Sequence, residues 1–486
     1  MKTLIQKNWL LILILLISGF ARLYKIGDYM EFLGDQGRDA VIARDFLKNG
    51  NLFFIGPQTS IGNMYLGPFY YYLFVVPGLI LTNFNPIGPS IIVAIFGIAT
   101  VYLIYWFASR YLNKSTAYFA SSLYAISPVI IKYSNFSWNP NIMPFFALVF
   151  VISIIKSTID SKPKYLLLAT LSFIVCLNSH FLALLLLPFA AIYLLLKLFF
   201  VFQNKQSFKQ YLFYIGLSLT LFVLSLTPQI LFDLKHQGQN INAIVHFFTY
   251  RETTVNLKPY KSIYTIFPLF TQVNTRLIFS KADSFGFIGS ILILFLGLTA
   301  FIKKKSPTYL LLWIWYGIGL IGLSLYKQHI YDHYFGFIFP VIFLIVGYIL
   351  SRLPKIISLP IFFGLISLGI SQNPFRWQPP RQLQTTSDIT KLIIRESSGQ
   401  PFNFSLLAKQ NYDPPYRYFF AEKNASLYNL DQKITDQLFV VCEPFQIDCN
   451  PINNPEWSIA AFGWAKIDSQ WQVNGINIYK LTHTQQ

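Results

Sequence analysis

Repeated apolar runs, each near the length that crosses a lipid bilayer, constrain the fold of this chain more than any other feature of its sequence. A helix needs about 20 residues to span the hydrocarbon core. Hydrophobic residues make up 54% of the 486 residues and charged residues 12%, whereas a soluble domain has about 25% charged residues. The sequence therefore predicts an α-helical polytopic membrane protein that places most of its surface against lipid.

The basic residues predict the orientation of these runs. They fall in short groups between apolar runs, such as Lys303, Lys304 and Lys305, which the positive-inside rule assigns to cytoplasmic loops. We therefore attribute the net charge of +18 to cytoplasmic loops of a cell-membrane protein. No nucleic-acid partner is expected. We expect a cytoplasmic N-terminus, an extracytoplasmic C-terminus and about eleven transmembrane helices, at residues 9–23, 89–109, 116–132, 142–155, 165–177, 183–202, 211–230, 286–302, 309–326, 335–350 and 356–371.

The chain divides into a membrane domain, residues 1–371, and a tail, residues 372–486, of soluble composition. The membrane domain contains two long external loops, residues 24–88 and 231–285; within the first, residues 68–81 are apolar but broken by proline and glycine, which predicts an interfacial or re-entrant segment. The tail is predicted to be a small extracytoplasmic α/β domain. Its expected elements are a helix over 387–395 with Ser387 as N-cap, and strands over 437–442 and 475–481.

The three cysteines and the absence of one motif constrain the fold and function less than the apolar runs do. Cys442 and Cys449 lie in the predicted external tail, where a disulfide is chemically permitted, but the sequence does not establish its geometry. Cys176 is expected to be a buried small hydrophobe. No glycine-rich phosphate loop follows a strand, which argues against an ATP-driven transporter.

Residues 34–39, with the sequence GDQGRD, follow the first predicted span. A short helix over residues 36–49 is expected here, with Asp35 as N-cap and Gly50 as C-cap. One interpretation of Asp35 is purely structural: as an N-cap it would stabilise the helix by about 1 kcal/mol. Arg38 and Asp39 would then form a solvated ion pair of little consequence. We favour Asp35 as a catalytic general base, because the helix should lie against the membrane near other polar residues, where a carboxylate can take a proton from an attacking hydroxyl. Arg38 and Asp39 are candidate substrate contacts.

Polar residues at two further predicted external turns are candidate substrate contacts. Residues 133–141 contain Trp138, Asn139 and Asn141. An aromatic belt and a proline helix start explain Trp138 and Pro140, whereas the amides suit hydrogen bonding to a sugar. His180 lies at the junction of two predicted spans. A lone histidine in such a position more often has a structural role, so His180 is the weakest of these candidates.

The loop of residues 231–285 and the segment of residues 327–334 supply the remaining candidates. Lys235, His236 and Arg251 suit a lipid phosphate through charge-assisted hydrogen bonds, although attraction to anionic headgroups without a specific site is an equal alternative. Tyr331 and His333 are expected to donate to phosphate or sugar. A divalent metal held by this segment is a weaker alternative, because no HExxH motif or dense Cys/His pattern is present.

Taken together, these segments resemble the GT-C membrane glycosyltransferases, and most closely bacterial family 39, which includes protein O-mannosyltransferase-like and aminoarabinose-transferase-like enzymes. The matching segments are residues 34–40, 66–73, 133–141, 231–236 and 333–335. Tyr65, directly before the second segment, is included as a substrate contact. The resemblance implies a GT-C-like fold and a polyprenyl-phosphate-linked sugar donor. It also implies an acceptor lipid, protein or glycan on the external face, and Asp35 as the proposed base. Many relatives have glutamate where this chain has Gln36, which weakens any carry-over of a second acid or a metal.

The residues and the resemblance lead to one mechanism and two alternatives. A hydroxyl activated by Asp35 would displace the phosphate in a single step, which inverts the anomeric carbon. A lipid-linked sugar flippase is the first alternative, but a transporter should place ionisable residues or broken helices near the bilayer midplane, often in repeats. Here polar residues gather at one face and no repeat is visible. An inactive relative acting as a binding protein is the second alternative, which Gln36 keeps open.

Overall fold

The structure is a computed structural model that describes residues 2–59, 64–249, 259–443 and 449–484. Its contacts divide the chain into two units. The helical unit comprises Met1–Tyr24, Leu52–Phe74 and Pro89–Gln378. The tail unit comprises Lys25–Asn51, Val75–Gly88 and Pro379–Gln486. The tail unit thus includes two stretches of the first long loop in addition to the C-terminal part of the chain.

Helices dominate both units. The α-helices are α1 (Lys2–Leu23), α2 (Ile26–Tyr29), α3 (Gly34–Asn49), α4 (Val76–Leu81), α5 (Ile87–Tyr111), α6 (Lys114–Ile126), α7 (Pro128–Lys132), α8 (Met143–Thr158), α9 (Tyr165–Ser179), α10 (Leu186–Val201), α11 (Lys205–Ser225), α12 (Thr227–Lys235), α13 (Gln239–Thr249), α14 (Ile263–Leu277), α15 (Asp283–Lys304), α16 (Pro307–Ser324), α17 (Phe339–Arg352), α18 (Lys355–Ser371), α19 (Gln382–Glu396), α20 (Pro414–Glu422) and α21 (Trp457–Ala460). A π-helix covers Tyr71–Val75, and 3-10 helices cover Asn139–Ile142, Phe181–Leu185, Pro259–Ser262, Asp332–Ile338 and Pro374–Arg376.

Seven helical stretches in the described part of the chain are long and apolar enough to cross a membrane. They are Ile87–Tyr111, Asn139–Thr158, Phe181–Val201, Lys205–Lys235, Asp283–Lys304, Pro307–Ser324 and Asp332–Arg352. Four shorter apolar helices cover Asn8–Leu23, Tyr71–Leu81, Tyr165–Ser179 and Lys355–Ser371. The predicted polytopic helical class is therefore confirmed, while the number of spans and their orientation remain predictions.

A continuous helix over residues 116–132 is a wrong prediction. Helix α6 ends at Ile126, and α7 starts at Pro128. Ser127 between them is extended, with φ −60° and ψ 122°. The ring of Pro128 explains the break, because a proline disfavours the helical conformation of the residue before it.

Helix α17 is the centre of the helical unit. All its residues from Phe339 to Leu350 are buried, as expected of a helix that is apolar on every side. Its Gly347 lies against α6, where a Cβ at residue 347 would come within 2.9 Å of the backbone nitrogen of Ala120. Small residues at such a contact allow two membrane helices to approach closely.

The tail unit contains a four-stranded sheet with the order β1-β2-β4-β3. The strands are β1 (Asn403–Leu407), β2 (Gln437–Cys442), β3 (Ala465–Val473) and β4 (Ile476–His483). Strands β1 and β2 are parallel and the other pairs antiparallel. Helices α19 and α20 cover one face with Ile389, Ile393 and Phe420, which pack on Phe404 and Phe439. The predicted small α/β domain and its two strands are confirmed.

Two further predictions about the tail can be judged. Cys442 and Cys449 form a disulfide, with their Cα atoms 5.9 Å apart, inside the range that this bond requires. Ser387 is not an N-cap, because α19 begins earlier, at Gln382. The first turn is fixed by residues far away in sequence: the Arg381 N–H donates to the carbonyl of Asp28, and the Gln382 side chain accepts the N–H of Phe32 at 2.9 Å.

Candidate functional site

Asp35 lies in the first turn of α3, in the tail unit. The helix starts at Gly34 with Leu33 as its cap residue, so the prediction of Asp35 as N-cap is wrong. Gln36 explains the difference, because its side-chain oxygen accepts the N–H of Leu33 at 2.9 Å. A carboxylate in this position is stabilised by the helix dipole. The predicted Gly50 C-cap is confirmed, with φ 73°.

Arg38 lies between two carboxylates. Its guanidinium is 2.8 Å from Asp35 and 2.8 Å from Asp39. The side chain of Asp39 is 1% exposed and that of Asp35 42% exposed. A solvated pair of Arg38 and Asp39 is therefore the wrong interpretation, because Asp39 is buried. Asp39 anchors the guanidinium, which in turn orients the accessible carboxylate of Asp35.

The two glycines of residues 34–39 allow α3 to pack within the tail unit. A Cβ at Gly34 would come within 2.4 Å of the Tyr412 ring, and one at Gly37 within 2.3 Å of the backbone nitrogen of Pro415. About two turns further along, the Arg44 side chain donates to the carbonyl of Ala421 at 2.7 Å. The carboxylate of Asp35 is thus carried on a helix that is held to α20.

Tyr65, Lys235 and His236 form one group in the helical unit. The side-chain oxygen of Asn240 accepts the N–H of Tyr65 at 2.8 Å. The Phe232 ring lies between the rings of Tyr65 and His236, with centroids 6.0 and 4.1 Å away. Lys235 ends α12 and is exposed, as is His236. The remaining predicted cation, Arg251, lies outside the described residues.

Trp138, His180, Tyr331 and His333 form a second group in the helical unit, which we call the histidine cluster. The His333 ring lies 4.5 Å from Trp138, 5.8 Å from Tyr331 and 6.2 Å from His180 between centroids. Trp138 and His180 each precede a 3-10 helix, and His333 lies in another. Three turns that are distant in sequence thus meet, as their predicted placement on one membrane face requires.

His180 is held in its neutral form. Burial lowers its pKa to about 4. Its Nδ1 also accepts the N–H of Leu182 at 3.1 Å, a bond that protonation of this nitrogen would break. At neutral pH the ring therefore carries its proton on Nε2, which is a donor in this tautomer.

Asn139 and Asn141 stabilise the turn of residues 133–141. The Asn139 amide donates to the carbonyl of Ser179 at 2.6 Å, and the Asn141 amide donates to that of Phe136 at 3.0 Å. Both residues are buried. Their amide N–H groups, predicted as donors to a sugar, are engaged with the backbone and position Trp138.

Three cations that the sequence analysis did not select lie beside the histidine cluster. Arg276 pairs with Asp332 at 2.7 Å. Partial burial lowers the pKa of Lys281, and the charges of Arg276 and Lys132 lower it further while Asp332 opposes them. We call Lys132, Arg276 and Lys281 the cation cluster; these three positive charges lie near one another, and Arg276 is paired with Asp332. Lys132 and Asp332 directly precede Tyr133 and His333 in sequence.

A sequence signal for the cation cluster was present. Lys132 lies at the predicted external end of the predicted span over residues 116–132, and Lys281 lies in a predicted external loop. The positive-inside rule expects few basic residues there. Lys235 and His236 satisfied the same criterion, but the structure places them in the separate group with Tyr65.

The donor set of these groups does not favour a metal. Within residues 2–59, 64–249, 259–443 and 449–484, no three His, Cys, Asp or Glu side chains are close enough to hold one. Asp332, the carboxylate of the segment of residues 327–334, is paired with Arg276.

The sequence matches one family model. The model, described as dolichyl-phosphate-mannose-protein mannosyltransferase, matches residues 67–229. This range includes the turn of residues 133–141 and His180. No curated protein sequence matches the chain significantly.

The fold is similar to that of two solved membrane proteins. ArnT from Cupriavidus metallidurans bound to undecaprenyl phosphate aligns with a TM-score of 0.65 at 12% identity, over 97% of this chain and 98% of that chain. In the apo state it aligns with a TM-score of 0.62 at 11% identity, over 99% and 98%. AglB from Archaeoglobus fulgidus, in complex with an inhibitory peptide and a dolichol-phosphate, aligns with a TM-score of 0.53 at 11% identity, over 90% and 70%. The predicted GT-C-like fold is confirmed, with the small α/β tail included.

Proposed function

We propose that the protein transfers a sugar from a polyprenyl-phosphate donor to an acceptor hydroxyl on the external face of the cell membrane, with inversion at the anomeric carbon. The class of reaction is supported by the family model and by the fold similarity over nearly the whole chain. A solved structure with that fold contains undecaprenyl phosphate, which supports a polyprenyl-phosphate donor for this chain.

The cation cluster beside the histidine cluster is the observation that carries the proposal. The three cations and Asp332 together have a net charge of +2. Lys132, Arg276 and Lys281 are all at least partly exposed. Arginine and lysine bind phosphate oxygens through strong charge-assisted hydrogen bonds. The aromatic rings of Trp138 and Tyr331 next to them suit the apolar face of a sugar ring. A phosphate and a sugar that are joined by one bond match this pair of surfaces.

Displacement at the anomeric carbon accounts for the charges. The acceptor oxygen forms a bond to this carbon and loses its proton to Asp35, while the bond from the carbon to the phosphate oxygen breaks. Both electrons of that bond go to the phosphate, which leaves as polyprenyl phosphate with one additional negative charge. The cation cluster stabilises this developing charge, a form of catalysis often worth several kcal/mol. Attack opposite the leaving group inverts the carbon.

Asp35 is the proposed base because it is the accessible carboxylate of its group. Arg38 holds it at 2.8 Å and fixes the direction in which its second oxygen is presented. A general base must come within about 2.6–3.2 Å of the oxygen whose proton it takes. The buried Asp39 has the role of positioning Arg38.

A lipid-linked sugar flippase is the second candidate, and Arg22 favours it. This arginine is 1% exposed inside α1 and donates to the carbonyl of Ala125 at 3.0 Å. Its Nε and Nη2 have no hydrogen-bond partner in the described part of the chain. Buried ionisable residues in membrane spans commonly mark transport pathways, although Arg22 lies in the last turn of α1 and not near its middle. An inactive relative that only binds lipid-linked sugar is the third candidate, since Gln36 lacks the charge of the usual glutamate.

Two linked experiments separate these candidates. Mass spectrometry of envelope glycans and glycolipids, from cells with and without the gene, identifies the sugar and its acceptor. The purified protein in detergent is then incubated with the undecaprenyl-phosphate-linked form of that sugar and with the acceptor. Transfer in detergent, where no second compartment exists, supports the enzyme. Loss of the glycan in cells without any transfer by the purified protein would contradict it and favour the flippase.

A further inference from the structure

A cavity of about 230 Å³ opens on the tail unit, and none of the residues that line it in the described part of the chain is assigned to the reaction. Ile459 and Leu481 line it, and both belong to a hydrophobic cluster with Leu438 and Phe462. The cavity therefore has a floor that is fixed by the core of the tail unit. Ligand pockets of about 300–1,000 Å³ hold drug-sized molecules, so this smaller volume suits a single ring.

Trp464 forms one wall of this cavity and is 79% exposed. Its backbone is fixed, because its carbonyl accepts the N–H of Thr484 at 3.2 Å. A tryptophan this exposed beside a cavity is typical of a binding surface, whereas isolated exposed apolar residues need no explanation. The indole offers a broad rigid apolar face together with a hydrogen-bond donor.

Two amide side chains, those of Asn453 and Asn454, also line the cavity. The Asn454 side chain accepts the N–H of Glu456 at 2.9 Å and donates to the carbonyl of Asn450 at 2.9 Å, which fixes the loop. Asn453 beside it is exposed and has a left-handed φ of 52°. An asparagine amide both donates and accepts hydrogen bonds, which matches a hydroxyl group.

The chemistry of the lining selects one class of ligand. None of the described residues that line the cavity is charged, so among them a phosphate or an ionised peptide would find no counter-charge. A pyranose ring has an apolar C–H face, which packs on an indole, and an edge of hydroxyl groups, which bind to amides. We infer that the tail unit binds one ring of a neutral glycan between Trp464 and Asn453. This site shares no residue with the proposed reaction, and its occupancy does not depend on whether the protein transfers sugar.

Binding is measured on the full-length protein in lipid nanodiscs, because glycosidic detergents would compete. Mannohexaose, cellohexaose and chitohexaose are the probes, and saturation-transfer NMR detects the ring protons that contact the protein. We expect binding of at least one probe, with Trp464→Ala weakening it 10-fold or more. Trp457→Ala is the matched control, since Trp457 is 62% exposed in the same segment but does not line the cavity, and it should bind normally.

A second variant protects this test against misfolding of the first. Ala460→Phe fills the cavity and leaves Trp464 in place, and it should also abolish binding. Sugar transfer by the purified protein is measured in parallel with an acceptor that carries no glycan. Unchanged transfer with lost glycan binding supports a separate site. Absence of binding by the wild-type protein, or equal binding by all variants, would overturn the inference and leave the cavity a packing gap.

Discussion

Gly37 and Pro415 are in such close contact that a Cβ on residue 37 would lie 2.3 Å from the prolyl nitrogen and 2.5 Å from its Cδ. A glycine inside a helix costs about 0.5–1 kcal/mol relative to alanine. Here the cost is offset by the approach of α3 to α20, which brings the Arg44 guanidinium to Glu422 at 3.2 Å. The glycine two residues after Asp35 thus has a packing role, and the position of Asp35 in the tail unit depends on it.

Gly37→Ala should destabilise the protein. The nearest atoms belong to backbone and to a proline ring, neither of which can rotate away, and overpacking of this kind typically costs about 1–3 kcal/mol. Thermal unfolding of the purified protein measures the effect. Gly216→Ala is the control, because nothing lies within 4 Å of a Cβ at that helical position. An equal melting temperature for the two variants would contradict the proposed packing.

Lys281→Gln should weaken binding of the lipid-phosphate donor without breaking the pair of Arg276 and Asp332. Loss of one charge-assisted hydrogen bond, worth about 1.5–3 kcal/mol, predicts a rise of the donor KM by roughly 10-fold or more. Initial rates over a range of donor concentrations measure it. Lys305→Gln is a matched control, since Lys305 also has a left-handed φ, 40° against 68° for Lys281. A normal KM for Lys281→Gln would remove this lysine from the phosphate site.

His180 should make the stability of the helical unit depend on pH. Its folded pKa of about 4 lies below the ordinary histidine pKa of 6.5, so the unfolded state binds more protons between these values. Stability from this residue is therefore complete above pH 6.5 and is lost as the pH falls towards 4. His180→Asn keeps a side-chain oxygen that can accept the Leu182 N–H but does not titrate. Its melting temperature should fall less than that of the wild type between pH 7 and pH 5, and parallel curves would show that His180 is not the titrating group.

Periodicity and turn chemistry predicted the elements well where neighbours in sequence decide the structure. Strand β2 has the predicted bounds, Gln437–Cys442, because its short apolar run is a local signal. Gly50 ends α3 because glycine readily adopts the left-handed φ of this position. The starts of α3 and α19 were mispredicted. In α3, the Gln36 side chain accepts the N–H of Leu33, so the helix begins before Asp35. In α19, the first turn is fixed by Asp28 and Phe32, more than 300 residues away in sequence.

The site was predictable in outline and not in its pairings. The positive-inside rule and the placement of spans identified the turns that meet at His333. Arg276 and Asp332, however, are 56 residues apart in sequence, and their pairing follows from how α14 packs beside the Asp332–Ile338 segment. Burial of Asp39 likewise depends on tertiary packing, since its neighbour Asp35 in the same helix is accessible.

The role of Asp35 as general base is tested most directly by Asp35→Asn, assayed as sugar transfer by the purified protein in detergent. Asp45→Asn, the same substitution ten residues later in α3, is the matched control, because Asp45 contacts only Asn49 and Asn51 among its described hydrogen bonds. General-base catalysis contributes about 10²–10⁴-fold. We therefore predict that Asp35→Asn lowers kcat by at least 100-fold with an unchanged melting temperature, while Asp45→Asn transfers normally. Transfer by Asp35→Asn at the rate of the wild type would contradict the assignment.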